Sequence, residues 1–199
     1  GGMCTGGYAL SLLGAWQTLT QLKCETYIAT LMNESLITRG RNDLARMFLE
    51  RDADYLMFID ADITFPKDAI PALLLADKDV VCGVYSKKEI SWDSVSKAAK
   101  AGKDNLAEYS GSFVLNMMGA QGEHAEVDES GVIEVRHGGT GFMLIKRSVL
   151  EKLKDHVPTY RRTSFQSPET GDFTHPKVHQ FFDTSIDDTG ALLSEDYHF

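Results

Sequence analysis

Apolar residues follow two spacings along the chain, one typical of helices and one typical of strands, and the two alternate. Recurrence every three or four positions predicts helices over residues 8–22, 41–54 and 66–78. Short apolar runs rich in β-branched side chains predict strands over residues 25–32, 55–59 and 79–85. Because strands alternate with helices, we expect parallel strand pairing with helices on the faces of the sheet.

The first predicted helix has one apolar face, formed by Leu10, Leu13, Trp16, Leu19 and Leu22. Later in the chain, residues 131–137 alternate like an exposed edge strand and residues 142–147 like a more buried strand. Ser148 and Glu151 fit a capping box, which predicts a short helix from Ser148. Two segments give no clear helix or strand pattern, residues 86–130 and the loop-like residues 155–194.

Composition limits the class of protein. With 199 residues and 43% apolar content, the chain can bury one core, so we predict a single domain over residues 1–199. The net charge of −9 disfavours a nucleic-acid partner, because the protein would repel the phosphates. No apolar run reaches the length of a membrane-spanning helix. Cys4, Cys24 and Cys82 have no metal-like spacing and indicate a reducing compartment.

Two acids follow the predicted strand in the stretch YLMFIDADITFP, residues 55–66. Residues two apart in an extended chain point to the same side, so Asp60 and Asp62 are predicted to lie together at the carboxyl end of the strand. Like charges repel, and a hard cation such as Mg²⁺ or Mn²⁺ would hold them and bind a diphosphate. The alternative is a loop acid that caps the following helix.

The chain resembles glycosyltransferases of the GT-A fold, whose Asp-Xaa-Asp motif corresponds here to Asp60, Ala61 and Asp62. Four further stretches are similar to that family: residues 35–49, 80–88, 138–153 and 194–199. The resemblance implies a three-layer α/β/α sandwich with a mostly parallel, mixed central sheet. It also implies Mn²⁺ or Mg²⁺, a nucleoside-diphosphate sugar donor, a hydroxyl acceptor and an inverting reaction.

The resemblance assigns roles to individual residues. Asp196 is implied as the general base, with Glu195 beside it in the stretch SEDYHF. The metal ligands implied are Asp60, Asp62 and His198. The donor contacts expected are Asp60, Arg39, Arg41, Asn42 and Lys88. The acceptor contacts expected are Gly139, Thr140, Gly141 and Trp92.

Several of these residues also have a purely structural interpretation. Arg41 and Asn42 could bind a nucleotide through their guanidinium and amide groups, or could lie in a solvated helix start capped by Asp43. Lys88 could offset diphosphate charge or be an ordinary exposed lysine. Trp92 could stack on a sugar or anchor a core. The family implies a further strand before Gly1 and a further segment after residue 199, so we expect both to be missing.

Two other functions fit parts of the sequence. DADIT resembles the motif of haloacid-dehalogenase-type phosphatases, in which Asp60 would be the nucleophile, Asp62 the general acid, and Asp187 and Asp188 metal ligands. Against this, the motif comes 59 residues into the chain and lacks the usual following glycine. A noncatalytic nucleotide-sugar binder is the other alternative. We expect a cytoplasmic protein, or one in the host cytoplasm if the source is viral.

Overall fold

The computed structural model describes residues 2–118, 126–167 and 170–199. Its helices are α1 (Gly6–Gln21), α2 (Ile37–Leu49), α3 (Ala69–Ala76), α4 (Trp92–Lys100), α5 (Arg147–Leu153) and α6 (Glu195–His198), with a 3-10 turn over Leu106–Tyr109. Its strands are β1 (Tyr55–Ile59), β2 (Val80–Cys82), β3 (Leu115–Met117), β4 (Val135–Gly138), β5 (Phe142–Lys146), β6 (Thr159–Arg161), β7 (Phe165–Gln166), β8 (Phe173–Thr174), β9 (Lys177–His179), β10 (Ser185–Ile186) and β11 (Leu192–Leu193).

The central sheet has the strand order β1–β5–β2, and β5 is antiparallel to both neighbours. Ile59 at the end of β1 lies opposite Phe142 at the start of β5. On the other side, Cys82 at the end of β2 lies opposite Met143. β1 and β2 therefore run in the same direction but are separated by β5.

The predicted GT-A sandwich with a mostly parallel central sheet is wrong. Within the described residues, each strand pair of the central sheet is antiparallel, and the other sheets are the two-stranded antiparallel pairs β3–β4, β6–β9, β7–β8 and β10–β11. The order of strands along the chain does not fix which strands become neighbours. β5 comes from much later in the sequence and takes the place that parallel pairing of β1 with β2 would require.

Alternate side chains of β5 build two apolar clusters, as the two-residue period of a strand requires. Met143 and Ile145 belong to the first cluster, which also contains residues of β1, α2, α5 and the segment 181–182. Phe142 belongs to the second, which also contains Phe65 and residues of α1 and α3. The prediction of a buried strand at 142–147 is confirmed, since residues 142–145 are all buried.

The predicted apolar face of α1 is wrong, although the helix itself forms. Leu10, Leu13, Trp16 and Leu22 are exposed, with Leu10 73% accessible, whereas Leu19 is buried. The buried face instead carries small residues, Ser11 and Ala15. Small side chains let α1 approach the chain after β1 closely, and the Phe65 amide donates a 2.9 Å hydrogen bond to the Ser11 hydroxyl. A pattern of large apolar residues cannot detect such a face.

Two further predictions near the amino end differ from the structure. Residues 25–32 form no strand: they lie in an irregular segment, and Tyr27, Ile28 and Met32 are exposed. α2 begins at Ile37, four residues before the predicted start, so Arg39 and Arg41 lie inside the helix. Helix α3 keeps Pro71 in its first turn, where the missing amide hydrogen costs little.

Downstream, β4 begins at Val135, within the predicted strand 131–137, and ends one residue beyond it. α5 starts at Arg147 without a side-chain cap, so the capping box of Ser148 and Glu151 does not form. Residues 86–130 include α4 and β3, and residues 119–125 lie outside the described residues. The segment 155–194, predicted as loop, contains the six short strands β6–β11, while residues 168–169 are also outside the described ranges.

A buried ionic network joins α2 to the chain after β6. The Arg162 guanidinium donates 2.8 Å hydrogen bonds to fully buried Asp43 and to Glu34, and Arg39 also donates to Glu34. Burial raises the pKa of Asp43, and the Arg162 hydrogen bond and charge oppose that rise. Because a buried carboxylate without its cation is costly, Arg162 is essential to the charged state of Asp43.

Replacing Arg162 with methionine should lower the free energy of unfolding by about 3 to 5 kcal/mol at pH 7. This is the usual cost of removing one partner of a buried ion pair and leaving the other without its counter-charge. Without Arg162 the folded-state pKa of Asp43 rises further above its unfolded value. The loss of free energy of unfolding caused by Arg162→Met should therefore grow as pH rises above about 4 and shrink on acidification. Urea unfolding at pH 7 and pH 4.5 measures it.

The matched control is Arg161→Met, because Arg161 is the exposed neighbour on β6. It should change the free energy of unfolding by less than about 0.5 kcal/mol. Equal effects of the two substitutions, or a deficit independent of pH, would contradict the assigned role of Arg162.

Candidate functional site

The ends of three strands meet at one edge of the central sheet. β5 is antiparallel to β1 and β2, so its amino end lies beside their carboxyl ends. Backbone hydrogen bonds continue past the strands: the Asp60 amide donates to Gly141 at 2.8 Å, and the Gly83 amide donates to Phe142 at 2.9 Å. Three loops are thereby brought together, residues 60–64, 83–88 and 138–141.

Each carboxylate of the acid pair has a basic partner. Arg41 donates to Asp60 Oδ1 at 3.0 Å, and Lys88 pairs with Asp62. The two cations differ, because the Arg41 side chain is 10% exposed and the Lys88 side chain 80%. Arg41 also lies over the Phe58 ring, 5.0 Å from its centroid, and is fixed under the site. The ion pair of Lys88 with Asp62 is exposed, and such pairs contribute little to stability.

A cleft of about 500 Å³ opens over the acid pair. Asp60, Asp62 and Thr64 line one side, residues 85–88 line another, and Val114 completes the wall. The volume lies within the range of small-molecule sites. The lining places the two acids and the two lysines of residues 87–88 around one space, so a ligand here would meet charges of both signs.

Tyr85 is the centre of this site and was missed by the sequence analysis. Its hydroxyl accepts a 3.1 Å hydrogen bond from the Gly141 amide. A Cβ on Gly141 would lie 2.6 Å from the Tyr85 oxygen and 2.8 Å from Asp60 Oδ2, and a Cβ on Gly139 would also collide with Tyr85. These two glycines therefore permit the tyrosine to sit against the backbone.

The phenol of Tyr85 lies within the field of two carboxylates. Burial raises the pKa of Tyr85 to about 12, and the charges of Asp196 and Asp60 add to the effect, against the Gly141 hydrogen bond. Tyr85 therefore stays protonated at neutral pH. The 138–141 loop links Tyr85 to Asp196, because its Gly141 amide donates to Tyr85 and its Thr140 amide donates to Asp196.

Asp196 on α6 is held by Thr140 in the loop before β5. The Thr140 amide donates to Asp196 Oδ1 at 3.0 Å, and the Thr140 hydroxyl donates to the same oxygen. Thr140 is fully buried, so the carboxylate has a fixed position. Burial raises the pKa of Cys82 to about 11, with a further contribution from the charge of Asp196.

Ring contacts fix α6 on the rest of the molecule. Tyr197 stacks on His137 with centroids 4.4 Å apart, and Phe199 stacks on Phe182 at 4.6 Å. Glu195 begins the helix and is half-buried. The stretch predicted to hold the base is therefore anchored by two rings that follow Asp196.

Three residues expected at the site have partners elsewhere, and a fourth, Trp92, lies at another cleft. Asn42 is 2% exposed, and its amide binds both backbone groups of Phe182, at 2.8 and 2.9 Å. Arg39 pairs with Glu34 in the buried network. His198 has its Nδ1 3.0 Å from the Ser185 hydroxyl. Trp92 is 70% exposed and lines a second cleft.

The residues present fit a metal only in combination with a ligand. Among the described residues, no group of three or more His, Cys, Asp or Glu side chains is arranged to hold an ion. His198 therefore does not complete a three-ligand set with Asp60 and Asp62. Mg²⁺ is often bound by one or two carboxylates together with substrate phosphates and water. Asp60 and Asp62 can supply the protein's share of such a site.

The phosphatase interpretation gains nothing from the structure. Asp187, one of its candidate metal ligands, accepts hydrogen bonds from Thr189 and Ala191 in the turn between β10 and β11. The Thr189 hydroxyl, followed by the turn amides, lowers the pKa of Asp187. The carboxylate is therefore used to shape that turn.

In the part of the chain that the structure describes, no helix is long and apolar enough to cross a membrane. No family model matches the sequence, and no curated protein matches it. Among solved structures, the chain is similar to A197 from STIV, with 22% sequence identity over 92% of this chain and 87% of that one, at a TM-score of 0.38. A likeness at that score carries no argument about fold or function.

Proposed function

We propose that the protein is a metal-dependent glycosyltransferase that moves a sugar from a nucleoside-diphosphate sugar to a hydroxyl acceptor. The observation that carries the proposal is that one loop, residues 138–141, joins the acid pair to Asp196: the Asp60 amide donates to Gly141, and the Thr140 amide donates to Asp196. Such a transfer needs an anion-neutralising donor site and a separate carboxylate that accepts a proton.

The donor diphosphate fits the cleft by charge. Lys87 and Lys88 line it, and Lys88 is exposed enough to exchange Asp62 for a phosphate oxygen. Asp62, with Asp60, would then hold Mn²⁺ or Mg²⁺ against the phosphates. When bound, the ion would supply positive charge that offsets the charge developing on the departing diphosphate.

Arg41 has a positioning role in this proposal. It is buried under the acid pair and fixes the orientation of Asp60 through the 3.0 Å hydrogen bond. Because Oδ1 of Asp60 accepts the hydrogen bond from Arg41, Oδ2 is left for contact with the donor. Oδ2 is the oxygen on the Gly141 side. Asp60, at the end of β1, is thus held in place by a side chain of α2.

Asp196 is the proposed general base of an inverting transfer. Both Thr140 hydrogen bonds end on Oδ1, so Oδ2 is the oxygen that would take the proton of the acceptor hydroxyl. A carboxylate held in a fixed orientation lowers the entropic cost of reaching a reactive geometry. Glu195, which begins α6, would contact the acceptor or orient the loop.

A cytoplasmic location belongs to the same proposal. The three cysteines are free thiols, and Cys4 and Cys24 are exposed. Exposed free thiols suit a reducing compartment.

Asp62→Asn should weaken the binding of a nucleoside diphosphate in the presence of Mn²⁺ by about ten- to a hundredfold, since the ion loses a charged ligand. In chelator the affinity should not fall, because the substitution also removes a charge that repels the phosphates. Titration calorimetry with UDP, ADP and GDP, each with and without Mn²⁺, measures both effects.

Asp68→Asn is the matched control, since Asp68 is an exposed acid on the following turn with no cap hydrogen bond. It should leave both affinities unchanged. A loss of affinity for Asp62→Asn that is the same in Mn²⁺ and in chelator would contradict the metal-bridging role.

Asp196→Asn should reduce sugar transfer by roughly two to four orders of magnitude, the usual contribution of a positioned base. Donor affinity should change little, because Asp196 is bonded to Thr140 and not to the acid pair. Single-turnover transfer and donor calorimetry on the same variant separate the two quantities. Transfer with retention of the donor's anomeric configuration would refute the role of Asp196.

A further inference from the structure

A second cleft, of about 380 Å³, lies around an exposed tryptophan. Its lining combines one aromatic ring, two carboxylates and two hydroxyls: Glu89, Ile90, Ser91, Trp92, Asp93 and Ser112. With 70% of its surface accessible, Trp92 is not a core anchor. An indole left in water at the mouth of a cleft is a ready stacking surface for a ligand.

The two clefts adjoin through a pair of backbone segments. The Lys87 amide donates to Ser112 at 2.8 Å, and the Val114 amide donates to Tyr85 at 3.0 Å. Lys88 lines the first cleft, and the next residue, Glu89, lines the second. The two clefts therefore share one stretch of backbone, residues 87–89, which is hydrogen-bonded to the segment of residues 112–114.

The polar lining is partly organised before any ligand binds. The Ser112 hydroxyl donates to Glu89 at 2.8 Å, and the Ser91 hydroxyl donates to Ser94 at 2.8 Å. The Glu89 carboxylate also lies 3.9 Å from the Lys87 ammonium. Its charge is therefore offset, while its oxygens still accept hydrogen bonds from a ligand.

We propose that this cleft is the acceptor subsite and that the acceptor is a saccharide. A pyranose has an apolar face of C–H groups, which stacks on an aromatic ring, and a rim of hydroxyls, which donate to carboxylates. Trp92 supplies the ring, and Glu89 and Asp93 supply the acceptors. The inference rests on the proposed function for its acceptor role, but saccharide binding itself does not require it.

Charge argues against the other classes of occupant. Two carboxylates and a net charge of −9 oppose a phosphorylated or nucleic-acid acceptor. An organic cation would be attracted by the same ring and acids. Against a cation, one ring makes no cage, Lys87 offsets Glu89, and two serine hydroxyls line the cleft. A neutral polyol satisfies the whole set.

Tryptophan fluorescence can measure binding at this cleft, because the chain has only two tryptophans, Trp16 and Trp92. In a Trp16→Phe background the emission comes from Trp92 alone. Titration with the methyl glycosides of glucose, galactose, mannose and N-acetylglucosamine should give a saturable change for at least one. Tetramethylammonium chloride is the competing probe, and its saturable binding without any saccharide response would overturn the proposal.

Trp92→Ala should weaken the saccharide by about tenfold in calorimetry, and Trp92→Phe should keep part of the affinity, since a smaller ring still stacks. Trp16→Ala is the matched control, because Trp16 is exposed on α1 outside both clefts. It should leave saccharide affinity unchanged. No saturable response to any of the four glycosides, or equal losses at the two tryptophans, would refute the subsite.

Binding of UDP, ADP and GDP with Mn²⁺, measured on Trp92→Ala, separates this inference from the proposed function. Unchanged nucleotide binding with lost saccharide binding supports both. Nucleotide binding without any saccharide binding would overturn the subsite alone. Saccharide binding without nucleotide binding would leave a saccharide site and remove its acceptor role, which contradicts the proposal as stated.

Discussion

The antiparallel insertion of β5 between β1 and β2 is the constraint on which the rest of the molecule depends. β5 satisfies the backbone of both neighbours and sends its side chains into both apolar clusters. It also sets the site, because its amino end carries the 138–141 loop to the carboxyl ends of the other two strands. A parallel β1–β2 pair would leave that loop, with Thr140 and Asp196 bound to it, without a place beside the acids.

The two ion pairs of the site differ in exposure. Asp62 pairs with a largely exposed lysine, Lys88, whereas Asp60 pairs with Arg41, whose side chain is nearly buried. Exposed ion pairs contribute little to stability. A second and separate network, built on Asp43 and Arg162, holds α2 in position beneath them. The anchoring of α2 and the charges of the cleft therefore depend on different ion pairs, and substitutions in one should affect the other little.

Local patterns in the sequence predicted the elements better than their arrangement. Residues 55–59 form the predicted strand, because a strand is a property of adjacent residues, but only Phe58 in it is buried. The acids follow it in a turn, closed by a hydrogen bond from the Ile63 amide to Asp60, and not in the extended chain that was expected. Pairing of β1 with β5 joins residues some 90 positions apart, which spacing within a short window does not register. The face of α1 was misjudged because the residues buried there, apart from Leu19, are small.

The roles assigned to the site residues stay predictions, but the structure brings several of them to one edge of the sheet: Asp60, Asp62, Lys88, Gly139, Thr140, Gly141 and Asp196. Asn42 was misplaced because a helix start four residues earlier turned its amide toward the backbone of Phe182. Tyr85 was overlooked as one more apolar residue of a strand, although β2 ends at Cys82 and leaves it in the loop.

The proposed binding of a nucleoside-diphosphate sugar to the acid pair through a divalent ion is best measured by thermal unfolding of the unmodified chain. The unfolding is followed with a panel of nucleotide sugars, in Mn²⁺ and in chelator. Such binding should raise Tm by an amount that grows with ligand concentration for at least one nucleotide sugar, and the rise should be lost in chelator. No rise with any nucleotide sugar, together with metal-dependent hydrolysis of simple phosphoesters, would show that the acid pair does not bind in this way.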